Sequence, residues 1–173
     1  MVADTFSGPG SRRSGVIPPH SRDATRRTPG LEPAAIDFDV LPVPSLEPAQ
    51  DGRVLDVRVA GVAALLIAKC YKLGERFREA DQQRLVNKDA GDVMRLMLAT
   101  DVAPVTERLA LLLAEPRSEA TTRQGLAYLD QLFGGPGRPG IVMATAALGP
   151  EVDAEQIRSL APAYTAALRS ATR

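Results

Sequence analysis

From Gly61 to the C-terminus, apolar residues recur at spacings of three and four, broken only by short polar or Pro/Gly-rich stretches. That periodicity belongs to amphipathic helices, and it commits most of the chain to a helical body. Composition narrows how those helices pack. Aromatic residues make up only 4% of the 173 residues and Trp is absent, while hydrophobic residues reach 45%. A core of Leu, Val, Ile and abundant Ala places little bulk between neighbours, which favours closely packed helices. The first helix spans residues 62–77, and the second spans 88–100 with Asn87 as its N-cap. Pro104 suits the first turn of a third, ending at 114, and Ser118 caps a fourth that Gly134 stops after residue 133. A short helix over 141–148 closes at Gly149 and Pro150. Asp153 and Gln156 resemble a capping box for the last helix, which Pro162 should kink or divide.

The N-terminal part reads differently. Gly and Pro punctuate residues 1–35 too densely for a helix or a long strand, and Arg12, Arg13, Arg22, Arg26 and Arg27 make the stretch basic. Residues 36–41 and 53–59 alternate apolar with polar side chains, as half-buried strands do. Pro42, Pro44 and Pro48 make their connection a loop and not a tight hairpin. The expected fold class is therefore α+β: a small, incomplete sheet from about residues 36–41 and 53–59, packed with a C-terminal bundle of five or six helices. Residues 1–35 form an irregular segment and 36–173 the folded portion.

Charge and residue counts exclude several classes. Lys plus Arg number 21 and Asp plus Glu number 21, so the chain lacks the basic excess of a protein that coats nucleic acid or membrane surfaces. A single Cys, Cys70, excludes a disulfide framework, and a single His, His20, excludes a multi-histidine metal centre. The longest apolar run, over 59–68, is half the roughly 20 residues a bilayer span needs. The first residues carry no apolar core of a signal peptide, which points to the cytoplasm.

Two charges stand out on the helical wheel. Lys69 falls between Leu65 and Val62 in the apolar stripe of the first helix, with Arg76 close by and Lys72 at the edge. Asp89 falls between Leu96 and Val93 in the second helix, with Asp92 at the margin and Arg95 pointing away. A buried ammonium or carboxylate costs several kcal/mol unless it is paired. The two charges therefore form an ion pair between helices, or a snorkelling Lys69 beside an Asp89 that serves the helix dipole, or the wall of a polar cleft, where a lysine suits an anion such as a triphosphate. Other features carry less. The glycine-rich residues 134–140 lack the Gly-Lys-Ser/Thr ending of a phosphate loop and read as an interhelical turn. Asp37 and Asp39 have the spacing that puts two carboxylates on one strand face, as a two-metal site requires.

Three stretches together resemble a known family. They are Val59-Ala60-Gly61 leading through Ala63-Ala64-Leu65-Leu66-Ile67-Ala68 to Lys69, then Lys72-Leu73-Gly74-Glu75-Arg76, then Lys88-Asp89-Ala90-Gly91-Asp92-Val93-Met94-Arg95-Leu96. They resemble bacterial nucleotidyltransferase-like proteins near the AbiE-type abortive-infection toxins, over roughly residues 5–100. The resemblance implies that Lys69 contacts nucleotide phosphate and that Asp89 belongs to a downstream catalytic motif. Lys72, Arg76 and Asp92 accompany them as substrate-binding residues. It further implies transfer of a nucleotidyl group from a nucleoside triphosphate to an RNA or protein acceptor, with Mg²⁺ as cofactor and an antitoxin protein as partner. The family's metal-binding carboxylates follow a Gly-Ser turn in an N-terminal sheet, and no such turn with paired acids precedes Lys69 here. The expectation is thus the C-terminal portion of a nucleotidyltransferase-like domain, inactive by itself and with no metal site of its own. The alternative is a non-catalytic helical interaction module or a degenerate remnant.

Overall fold

A computed structural model describes residues 2–3, 19–21, 27–78, 87–149 and 151–172. The fold is α+β. Strands β1 (Val2–Ala3) and β2 (Arg27–Thr28) form a short parallel pair, and β3 (Phe38–Pro44) pairs antiparallel with β4 (Val54–Ala60). Six helices follow: α1 (Val62–Arg78), α2 (Asn87–Ala99), α3 (Val102–Ala114), α4 (Glu119–Phe133), α5 (Pro139–Leu148) and α6 (Ala154–Ala171). Among the described residues, no helix is long and apolar enough to cross a membrane.

Helix α1 begins where the strands end, and a distant carboxylate fixes the point. The Gly61 N–H donates to the Asp37 carbonyl at 2.9 Å, and the buried Asp37 carboxylate accepts the Ala64 N–H at 2.8 Å. Asp37 thereby satisfies an N–H group that the first turn of a helix leaves without a partner. A Cβ at position 61 would overlap that carboxylate, so the approach requires glycine.

The buried side of α1 comprises Ala63, Leu66, Ile67, Cys70 and Leu73, which join Val93, Met94, Leu109, Leu112, Leu129 and Phe133 in the core. Each large apolar side chain in such a core contributes about 1.5–3 kcal/mol. The scarcity of aromatic bulk shows in how closely the helices approach. Gly74 lies under the Tyr128 ring, Gly125 under Ile67, and Gly91 against Ala147. These three contacts set α1 on α4 and α2 on α5.

Several expectations are corrected. Pro42 and Pro44 lie inside β3 and do not separate the strands; the loop over residues 45–53 does that. Ser118 occupies the position before α4, yet its hydroxyl donates to the Leu112 carbonyl at 2.7 Å and ties α3 to the turn. Pro162 sits within one continuous helix and does not divide it, while Asp153 caps α6 as expected. Most of the irregular segment 1–35 lies outside the described residues. Its final part is packed: a 3₁₀ turn over Glu32–Ala35 buries Glu32, which accepts from the Gly30 N–H and the Thr121 hydroxyl of α4, both at 3.1 Å. The turn just before residue 36 therefore packs against α1 and α4.

The α1–α4 contact yields a direct test. Gly74→Ala would drive a Cβ into the Tyr128 ring, and overpacking of this kind costs about 1–3 kcal/mol. Urea unfolding should show that loss, whereas Gly52→Ala, with open space around it, should be nearly neutral.

Candidate functional site

Position along α1 decides which side chains reach α2. Lys69, Lys72 and Arg76 are spaced by three and four residues, so they form one ridge. Asp89 and Asp92 occupy the first two turns of α2, three residues apart, and form a matching ridge. The two ridges meet. Lys69 Nζ lies 3.1 Å from Asp89 Oδ1 and 2.7 Å from Asp92 Oδ2. Lys72 Nζ reaches both Asp89 oxygens, at 2.9 and 2.7 Å, and Arg76 Nη1 lies 3.1 Å from Asp89 Oδ2. All five residues singled out from the sequence are thus brought into one cluster.

The cluster sits at the flank of the core and not at its centre. Leu65 and Phe77, which share Lys69's side of the wheel, are exposed, because the buried face is turned toward Ala63, Ile67 and Cys70. Lys69 therefore keeps 31% of its side-chain surface in solvent and Lys72 keeps 44%, while Asp89 keeps only 6%. The acid is enclosed and the cations form its cover.

Electrostatics follow from that enclosure. Burial pushes the Asp89 carboxyl upward, but hydrogen bonds and charge from Lys72 and Lys69 outweigh it and hold the group below its ordinary value of 3.8. Burial likewise pulls the Lys69 ammonium down, and Asp92 and Asp89 more than offset this, leaving it above 10.5. Both groups stay charged across the physiological range. Cys70, directly beside Lys69, is fully buried; desolvation pushes its thiol far up, so it packs as an apolar residue and does not serve as a nucleophile.

Two arginines were not assigned to these sites from the sequence. Arg95 lies 3.4 Å from Asp92 and 3.0 Å from Glu151, extending the cluster toward the start of α6. Arg108 of α3 lies 3.8 Å from both Asp37 and Asp39. Arg95 and Asp92 are an i,i+3 pair on α2, a spacing visible in the sequence, whereas the Arg95–Glu151 and Arg108 contacts join different elements and have no local signal.

Asp37, Asp39, Asp89 and Asp92 are engaged in ways that do not fit a pair of divalent metal ions. Asp89 is surrounded by three cations, and Asp92 is held by Lys69 at 2.7 Å. Asp37 caps α1 and shares Arg108 with Asp39. The Asp37–Asp39 spacing therefore serves helix capping and an arginine contact. Residues 134–138 form the turn between α4 and α5, as expected, and His20 is exposed. No protein-family model, curated protein or solved structure matches the chain.

Removing one partner of a buried charge costs about 3–5 kcal/mol when nothing replaces it. Lys69→Met should cost much less than that, because Lys72 and Arg76 still meet Asp89. Asp89→Ala should cost more, because three cations lose their shared acceptor. Acid titration separates the charge effect from packing. A carboxyl held below its ordinary value stabilises fully above about pH 4 and loses that contribution as pH falls through its folded value. The melting temperature of the wild-type chain should therefore drop more steeply below pH 4 than that of Asp89→Asn.

Proposed function

We propose that the α1–α2 junction binds the phosphates of a nucleotide, and that the chain is the helical portion of a nucleotidyltransferase-like protein related to the AbiE-type toxins. The observation that carries this reading is the ridge of Lys69, Lys72 and Arg76 converging on two carboxylates, with both lysines partly in solvent. Three cations against two acids leave one positive charge over, at a surface an anion can reach. A triphosphate oxygen competes with Asp92 for Lys69 and with Asp89 for Lys72, while Arg76 continues to neutralise Asp89. The acids thus hold both ammonium groups in place before the ligand arrives, which reduces the ordering cost of binding.

In the proposed reaction, an acceptor hydroxyl on RNA or protein attacks the α-phosphorus, the bond to the β-phosphate breaks, and pyrophosphate leaves. The lysines orient the triphosphate for that displacement. The Mg²⁺ the family's chemistry calls for requires carboxylates other than the four described above, so the chain by itself binds nucleotide without turning it over. An RNA acceptor, an antitoxin partner and a cytoplasmic location belong to the same proposal. A second reading, a non-catalytic interaction module, is favoured by the exposed apolar residues of the β3–β4 hairpin, of which Leu55 is 67% exposed.

Calorimetric titration of the purified chain with each of the four ribonucleoside triphosphates tests the first reading. Saturable binding is expected, with loss on the order of a hundredfold in a Lys69→Met/Lys72→Met double variant whose circular dichroism is unchanged. Labelled nucleotide incubated with the chain, Mg²⁺ and total RNA should give no transfer. An absence of nucleotide binding by the wild-type chain would leave the cluster as an interhelical tie and favour the interaction module.

A further inference from the structure

The β3–β4 hairpin has two unequal edges. Its ladder runs from the Gly61 N–H bonded to the Asp37 carbonyl at 2.9 Å to the Ser45 N–H bonded to the Arg53 carbonyl at 3.1 Å. Residues alternate along an antiparallel ladder between bonding across and facing away. With Leu41 opposite Val57, the odd-numbered residues of both strands bond to each other, and the even-numbered residues turn their backbone groups outward. On β3 two of those outward positions are Pro42 and Pro44, which have no N–H to offer. That edge is blunted. On β4 the outward positions are Val54, Asp56, Arg58 and Ala60, each of which keeps a backbone N–H, and no described strand pairs with them.

We propose that β4 is a dimerisation strand, pairing antiparallel with β4 of a second copy about a two-fold axis through Val57. The charge pattern selects both the occupant and the register. Self-pairing that uses the outward groups and engages more than half of the seven-residue strand is centred on Asp56, Val57 or Arg58. The first sets Asp56 against itself and the last sets Arg58 against itself, and like charges directly opposite are unfavourable. Centring on Val57 places Asp56 opposite Arg58 of the second copy, twice by symmetry. The same register sets Leu55 opposite Val59 and Val57 opposite itself, joining side chains that are 67%, 40% and 40% exposed in the single chain. The phenyl ring of Phe38, 4.7 Å under the Arg58 guanidinium, holds that arginine close to the sheet surface. The result is a four-stranded sheet whose outer edges are the proline-bearing β3 strands, so assembly stops at two copies. This inference is independent of the nucleotide reading, which concerns the opposite end of α1.

Sedimentation velocity over a concentration series tests it. The wild-type chain should dimerise reversibly. Asp56→Arg and Arg58→Asp should each weaken dimerisation on the order of tenfold or more, because each turns both cross-strand pairs into like charges. An equimolar mixture of the two variants should recover dimer, since one strand then carries two arginines and the other two aspartates. The double variant Asp56→Arg/Arg58→Asp should recover it alone. A wild-type chain that stays monomeric up to its solubility limit would overturn the proposal. So would single variants that dimerise as strongly as the wild type, or a mixture that fails to recover.

Discussion

A carboxylate enclosed at the junction of two helices is costly unless cations meet it, and the Asp89 side chain, 6% exposed, is met by three from α1. The arrangement ties the start of α2 to the second half of α1 with a directional contact that apolar packing alone does not supply. The position of α1 itself depends on another long-range carboxylate contact. Asp37 caps α1 from before the first strand of the hairpin, and Gly61 leaves room for it. Displacing α1 along its axis would separate the lysine ridge from Asp89 and Asp92 together. The core and the charge cluster therefore share one register.

The proposed phosphate site rests on two properties of the same cluster. Its three cations outnumber its two acids among the described residues, and they differ in exposure, with Lys72 the most accessible and Arg76 the least of the three. The stabilising partner of Asp89 need not leave when an anion binds, because three donors share one acceptor. A single lysine–aspartate pair would have to break entirely. In the proposed reading, that redundancy lets one set of residues hold two helices together and offer charge to a ligand.

Much of this was legible in the sequence, and the failures have physical reasons. Apolar periodicity located the helices because each buries a single face. The wheel placed Asp89 on the buried face of α2, where it lies, but set Lys69 at the centre of the α1 stripe, because weighting by large side chains favoured Leu65 and Phe77 over Ala63, Cys70 and Gly74. In a core with few aromatics the small residues mark the closest helix approaches, so the buried face follows them. Pro42 and Pro44 suggested a strand end; they are tolerated within β3 because their nitrogens face outward, where no ladder bond is lost. The Asp37 cap, the Arg108 contacts and the Arg95–Glu151 pair join residues from different elements, and no local pattern encodes them.

The chain contains only three lysines, Lys69, Lys72 and Lys88, so each gives a separable side-chain signal in a ¹H–¹³C NMR spectrum. Lys88 is exposed on α2 and makes none of the contacts in the cluster, which makes it an internal control for general charge screening. The three Cε resonances, followed while a nucleoside triphosphate is added, report whether the cluster takes up phosphate. Phosphate binding there shifts Lys69 and Lys72 saturably and leaves Lys88 unmoved. Three equal, non-saturating shifts, or none at all, would contradict it.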